Sequence, residues 1–218
     1  MKNIILIAPP AAGKGTQSKL ISAEYNIPHI STGDLFRDEV ASGSMLGRTI
    51  QNTMDKGGLI DDDITVNLLR NRISQVDCNN GYILDGYPRN VEQAQIYENL
   101  MRDLGKSEEV VLFMDIDKDL ALKRTLSRVI CSSCGASYNK DVPELSPAIE
   151  GFCDKCGHTL TTRHDDTLEI AQARYDTYMR ETAPLINYYQ AKGNLKAIKI
   201  EEHDTIESVF NKIKSIIG

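Results

Sequence analysis

Asn3-Ile-Ile-Leu-Ile7 is a short apolar run that leads straight into a turn of proline, alanine and glycine, followed by helix formers from Thr16 to Ala23. A strand with no polar alternation has no face to give to water. It belongs in a parallel sheet covered by helices on both sides. Tyr82–Asp85, Val110–Ile116 and Leu195–Ile200 repeat the pattern, with helical stretches between them, and Ile27–Ile30 is a further candidate despite Pro28. Strands alternating with helices predict an α/β chain with a parallel sheet and right-handed crossovers.

Asp204-Thr-Ile-Glu207 reads as a capping box opening a last helix, with Ile206, Val209, Phe210, Ile213 and Ile217 along one face. Residues 165–190 carry another long apolar stripe, in which Pro184 should kink or break the helix. Two segments do not fit the sheet: residues 31–60 are polar and Gly-rich, and residues 129–163 hold most of the cysteines with several Pro and Gly. Both read as insertions into one core made of residues 1–30, 61–128 and 164–218. A length of 218 residues suffices for such a core.

Composition closes off other classes. The net charge of −6 lacks the basic excess of a nucleic-acid binder. No run of eighteen or more apolar residues exists, so no membrane partner is expected. Lys2, Ile4–Ala8 and Ala11–Ala12 imitate a signal peptide, but the apolar part is too short and the basic part too thin.

Ala8-Pro-Pro-Ala-Ala-Gly13-Lys14-Gly15-Thr16 lies between a buried strand and a helix N-terminus. Such a loop aims backbone N–H groups at an anion, and the helix dipole assists. Lys14 adds a charge for the β- and γ-phosphates, and Thr16 opens the helix. The loop departs from G-x-x-x-x-G-K-[ST] at Ala8, which replaces the leading glycine, and at Gly15, which separates Lys14 from the threonine. A plain strand–turn–helix with a solvated lysine is the competing reading. Were Ala8 to take a positive φ, it would cost about 1–2 kcal/mol. Leu84-Asp85-Gly86-Tyr87-Pro88-Arg89 ends a strand with a carboxylate, a glycine and an arginine, where α/β sheets bind ligands. Asp85 would orient water on a magnesium ion and Arg89 would grip a phosphate.

Cys131, Cys134, Cys153 and Cys156 form two C-x-x-C pairs eighteen residues apart, each followed by a glycine. That spacing signals zinc, and four thiolates leave no open position, so the metal would be structural. Paired C-x-x-C spacing in a chain with a large core also points to a reducing, cytoplasmic compartment. Cys78 stands alone and reads as an ordinary helix or loop residue.

Taken together, the phosphate loop, Ser31-Thr-Gly-Asp34, Asp85–Arg89, the cysteine segment, Thr162–Asp166 and Ala183-Pro-Leu-Ile186 resemble adenylate kinase, specifically the long, bacterial-type form with a zinc-bearing lid. The resemblance runs nearly end to end. It implies a P-loop nucleoside-monophosphate kinase fold: a parallel five-stranded sheet flanked by helices, an AMP-binding insertion at 31–60 and a lid at 129–163. It implies reversible transfer of a phosphoryl group between ATP and AMP, with magnesium accompanying ATP and zinc in the lid. ATP would lie over Ala11, Ala12, Gly13, Lys14, Gly15 and Thr16, and its base or ribose would meet Ser137, Tyr138 and the backbone near Asp204. AMP would be held by Thr32, Arg37, Gly58, Leu59, Ile60, Gly86, Tyr87, Pro88, Arg89, Gln93, Arg163 and Arg174, with Gln93 reading the adenine edge. Family members usually have glycines at the positions of Ala8 and Ala11. No partner beyond ATP, AMP and ADP is implied, and a monomer is expected.

Arg124 and Arg128 are four apart and would share a face of the helix after Val110–Ile116. With Arg89, Arg163, Arg174 and Lys14 they make a cationic set suited to phosphoryl transfer, in which charge spreads over equatorial oxygens. The phosphate of AMP attacks already ionised, so no general base is required, and His29, His158, His164 and His203 need no catalytic role. Asp165 and Asp166 are possible helix caps that would fix arginines. A sister kinase with another donor stays open, because the donor base is held largely by backbone. A nucleotide-binding module without catalysis, which Ala8 and Ala11 favour, leaves Lys14, Asp85 and the arginine set unexplained, and a zinc-ribbon interaction protein explains only the cysteines.

Overall fold

The computed structural model describes residues 2–55, 60–106, 109–162 and 166–218. Strands β1 (Lys2–Ile7), β2 (His29–Ser31), β3 (Gly81–Asp85), β4 (Glu109–Ile116) and β8 (Leu195–Ile200) form a parallel sheet in the order β2-β3-β1-β4-β8. Helices α1 (Lys14–Tyr25), α2 (Thr32–Ala41), α3 (Met45–Asp55), α4 (Asp62–Ile73), α5 (Val91–Asp103), α6 (Lys118–Leu126), α7 (Leu168–Thr177), α8 (Pro184–Lys192) and α9 (Ile206–Ile217) alternate with them. A second sheet, in the order β6-β5-β7, is built from β5 (Arg128–Cys131), β6 (Ser137–Asn139) and β7 (Leu160–Thr161).

β1 is buried from Asn3 to Ile7, as its unbroken apolar run requires. It pairs in parallel with β3, Leu6 opposite Asp85, and β3 pairs with β2, Asp85 opposite Ser31. This register brings Leu6, Asp85 and Ser31 level at the carboxyl ends of their strands. β2 begins one residue after Pro28. Proline has no N–H to give a ladder, and here it contributes only its carbonyl, which accepts the Ile83 N–H at 2.9 Å.

The chain divides into two compact units, the first comprising residues 1–7, 18–112 and 182–195, the second residues 8–17, 113–181 and 196–218. In the first, Tyr82 and Tyr97 are fully buried with their hydroxyls 2.6 Å apart, so neither polar tip is left without a partner. The polar, Gly-rich stretch after β2 is helical: α2 and α3 pack so closely that a Cβ on Gly47 would stand 2.3 Å from the Glu39 carbonyl oxygen. In the second unit α9 buries Val209, Ile213 and Ile217.

Three local expectations are corrected. α9 is capped by Thr205, whose hydroxyl accepts the Ser208 N–H at 3.0 Å, and Asp204 is one residue too early to cap it. α7 is likewise capped by Thr167, because Asp166 is committed to an arginine. α1 opens at Lys14, two residues before Thr16. The break before Pro184 is as expected: α7 widens into a π turn over Tyr178–Thr182, and Pro184 takes the first position of α8, where no N–H is needed.

Candidate active site

In the second unit the chain leaves β1 through a loop with two left-handed residues, Ala11 (φ +61°) and Gly13 (φ +86°). The Gly13 carbonyl accepts N–H groups from Thr16 and Gln17, both at 3.0 Å, which starts α1 at once. Lys14, half-buried, is the first residue of α1, at the helix end whose dipole favours an anion. Ala8 is not left-handed; among the described non-glycine residues only Ala11 and Asn26 are. The strain in this loop thus falls on Ala11, and Ala8 is an unstrained replacement.

Arg124 lies on α6, 6% exposed, with Nη2 donating to the Glu201 carbonyl at 3.4 Å. Arg128 does not share its helix. α6 ends at Leu126, and Arg128 is the first residue of β5, so the two arginines are joined by a turn and not by helical spacing. Arg128 makes a two-pronged pair with Asp166, Nε to Oδ2 at 2.8 Å and Nη2 to Oδ1, and the Asp166 side chain is fully buried. A planar fork on a buried carboxylate fixes the guanidinium's direction. Arg174 is exposed on α7. The Asp204 carboxylate clamps its own turn, accepting the Glu201 N–H at 2.8 Å, the Ser208 hydroxyl at 2.7 Å and Lys212 Nζ at 2.6 Å. Burial resists its ionisation, but these donors outweigh it and hold its carboxyl below the usual range. Gln17 Nε2 donates to the Ile206 carbonyl at 2.9 Å, tying α1 to the start of α9.

The ligand atoms of Cys131, Cys134, Cys153 and Cys156 all lie within 4.8 Å of one another, with Cys131–Cys156 at 3.4 Å and Cys134–Cys153 at 3.5 Å. Metal–thiolate bonds of about 2.3 Å in a tetrahedron separate the sulfurs by roughly 3.8 Å, so the four thiols fit one ion and could hold a metal. Gly135 and Gly157, at φ +70° and +73°, return their N–H groups to the Cys131 and Cys153 carbonyls at 2.9 and 2.8 Å. That turn is left-handed, which is why a glycine follows each pair. Ser137 is exposed, but the Tyr138 hydroxyl turns into the second knuckle, 3.5 Å from Cys153 Sγ and 2.9 Å from the Asp154 N–H. Its hydrogen bond, against a smaller opposing effect of burial, draws the Cys153 thiol down to about 6.

In the first unit Asp85 ends β3, and its Oδ2 lies 3.1 Å from His29 Nε2. Gly86 follows at φ +82°, its carbonyl accepting the Thr32 hydroxyl at 3.3 Å and Arg89 Nε at 2.9 Å. Thr32, Tyr87 and Pro88 are buried, Arg89 is exposed, and Ile60 is half-buried. Arg37 is exposed and paired with Asp34 at 2.5 Å. The Gln93 side chain is bonded at both ends, Oε1 to the Arg89 N–H at 2.8 Å and Nε2 to Asp62 Oδ1 at 2.7 Å. Gly58, Leu59 and Arg163, with His164 and Asp165, lie outside the described residues.

Comparison with known proteins accounts for this arrangement. The adenylate kinase family model matches residues 6–194. The chain belongs to the adenylate kinase family. It is a nucleoside-monophosphate kinase, an ATP:AMP phosphotransferase. Among adenylate kinases, that of Thermosipho africanus is 42% identical over 214 residues, covering 97% of this chain and 99% of the relative. That of Clostridium tetani is 41% identical over 216 residues, 99% and 98%. That of Bacillus thuringiensis is 44% identical over 216 residues, again 99% and 98%.

Two partners of expected adenylate kinase site residues escaped the sequence. His29 meets Asp85 only because β2 lies beside β3, and Asp62 carries no mark that separates it from Asp61 and Asp63. Both depend on through-space register, which spacing along the chain does not encode.

Proposed function

We propose that the chain moves the γ-phosphoryl group of ATP to AMP, and back from ADP, by holding two polyphosphates amid fixed cations and main-chain N–H groups. The observation that carries this is the loop at Ala8–Thr16, whose left-handed residues Ala11 and Gly13 turn it straight into α1, with Lys14 as the first residue of a helix end that favours an anion. On the donor side Ala11, Ala12, Gly13, Lys14, Gly15 and Thr16 cradle the phosphates. Arg124 and Arg128, the latter aimed by Asp166, neutralise charge as it spreads in the transition state. The Glu201–Asp204 turn, clamped by the Asp204 carboxylate, offers backbone groups to the adenine, and Ser137 and Tyr138 on β6 meet the ATP base or ribose. On the acceptor side Thr32, Arg37, Ile60, Gly86–Arg89 and Gln93 hold AMP, joined by Gly58, Leu59, Arg163 and Arg174.

The AMP phosphate attacks as an anion, so the protein need not remove a proton. Asp85 is a hard oxygen donor at a strand end and suits a hydrated magnesium ion better than a softer metal. When bound, that ion neutralises β- and γ-oxygens. Asp85 orients its waters, and His29 steadies Asp85.

The four-cysteine site suits zinc, which would rigidify a segment at 129–163 too poor in apolar residues for a core of its own. That segment acts as a lid: closing, it keeps water from the phosphoryl group. The insertion at 31–60 holds AMP, and residues 1–30, 61–128 and 164–218 form the core that carries both. A reducing cytoplasm keeps the thiols available to metal; no described helix is long and apolar enough to cross a membrane. We take the working form to be a monomer.

A coupled assay with ATP, AMP and magnesium tests the reading. Wild type turns over, and Lys14→Met loses about 10²–10³-fold in kcat, the scale for removing one charge-stabilising donor. A well-folded wild type without turnover would retire it.

A further inference from the structure

We infer that Asp62 is a specificity-determining residue: it locks the Gln93 amide in the one orientation that accepts adenine and refuses a 6-oxopurine. The inference rests on the reading of Gln93 as the residue facing the acceptor base. Gln93 is the third residue of α5, and its backbone is pinned there because its N–H donates to Asn90 Oδ1 at 2.8 Å. Its carbonyl accepts the Tyr87 hydroxyl at 3.3 Å. With the main chain fixed, the amide has two ways to face a ligand, related by a flip that exchanges oxygen and nitrogen.

The neighbours decide which. A carboxylate only accepts and a main-chain N–H only donates. Asp62 Oδ1, 2.7 Å from one end, therefore demands the NH₂ group, and the Arg89 N–H, 2.8 Å from the other, demands the oxygen. Flipping the amide would set its oxygen against the Asp62 carboxylate and its NH₂ against a donor. Two hydrogen bonds would become two repulsions. Among the described residues, the locked amide still has one N–H and one oxygen lone pair unspent.

That remaining pair suits adenine. The base edge carries an acceptor at N1 and a donor at the 6-amino group, which one amide N–H and one amide oxygen satisfy together. Hypoxanthine and guanine carry a donor at N1 and an acceptor at O6. In the same pose they need the flipped amide. An unrestrained glutamine would read either edge at equal cost, so its identity alone cannot discriminate. Discrimination comes from the carboxylate behind it. Asp62 is able to serve because α4 starts at that residue: Asp61 caps the helix, accepting the Asp63 N–H at 2.9 Å, and leaves the Asp62 side chain directed at α5.

The test compares AMP with IMP, which differs at the N1 and 6-positions alone, as acceptors for ATP. Asp62→Asn presents either a donor or an acceptor and tolerates both amide orientations. It should narrow the AMP-to-IMP ratio of kcat/KM by about tenfold or more, chiefly through KM, whereas Asp62→Glu, still acceptor-only, keeps it. The ratio is taken on one preparation, so a partly folded variant does not distort it. Where turnover is too slow, calorimetric affinities for AMP and IMP give the same ratio. A ratio within about twofold of wild type in Asp62→Asn overturns the lock, as does wild type that uses IMP as readily as AMP. Gln93→Ala separates the underlying reading: a raised KM for AMP upholds base recognition by Gln93, and an unchanged one removes it whatever Asp62 does.

Discussion

Ala11 carries the one left-handed backbone in the phosphate loop that is not a glycine, φ +61°. Its Cβ costs about 1–2 kcal/mol there, and loop geometry over-determines it. Ala8, which departs from the same motif, is at no such disadvantage. The two alanines should therefore respond oppositely to glycine. Ala11→Gly relieves strain and raises unfolding free energy by up to about 1 kcal/mol, while Ala8→Gly only loosens the unfolded chain and lowers it by about 0.5–1 kcal/mol. Urea melts of the two variants measure both; Ala11→Gly less stable than wild type would refute the assignment of strain. The motif was legible at this scale, but its strained position was not. Which residue turns left-handed depends on how the loop meets α1, and residue identity alone does not say.

At the scale of elements, the three-stranded sheet β6-β5-β7 adjoins two knuckles whose sulfurs converge. Metal should hold it together. Treatment with a chelator is expected to lower the melting midpoint by at least about 5 °C, given roughly 2–4 °C per kcal/mol for a chain of this size. The Tyr138 hydroxyl accepts the Asp154 N–H at 2.9 Å, which leaves its own hydrogen for Cys153 Sγ at 3.5 Å. Partners that brace a metal ligand are commonly worth 10–100-fold in affinity. Loaded with zinc, Tyr138→Phe should therefore surrender the metal to a colorimetric chelator about tenfold more readily, and unchanged metal retention would count against that bracing role. The cysteine spacing was readable because two tight turns fix it locally. The helix caps were misplaced by a residue because both the expected and the observed caps are polar and adjacent, and Asp204 and Asp166 are drawn away by Lys212 and Arg128.

The whole molecule must be most stable when both nucleotides are bound, since each ligand binds the folded chain and not the unfolded one. A bisubstrate analogue joining adenosine to adenosine through a polyphosphate should, at 100 times its Kd, add about 2.7 kcal/mol, a rise in melting midpoint of roughly 5–11 °C. The same analogue should protect wild type far more than Lys14→Met. Equal protection of the two would mean that Lys14 does not hold phosphate. The overall charge of −6 gives no help in drawing in anions, so local fields must do it. On the proposed reading, the loop main chain, the aimed Arg128 and the half-buried Lys14 supply such fields.

What the chain's order of residues determined by itself was everything set by short-range chemistry. The apolar run of β1 demanded burial on both faces, the glycine-bearing loop turned directly into α1, and the paired cysteines converged to where they could hold one metal ion. What only the tertiary structure decided was which distant groups meet. Arg124 and Arg128 are parted by the end of α6, His29 reaches Asp85 through strand register, and Asp62 reaches Gln93 from another helix. Backbone geometry couples residues a few positions apart. Contacts across tens of residues exist only once the sheet has been assembled.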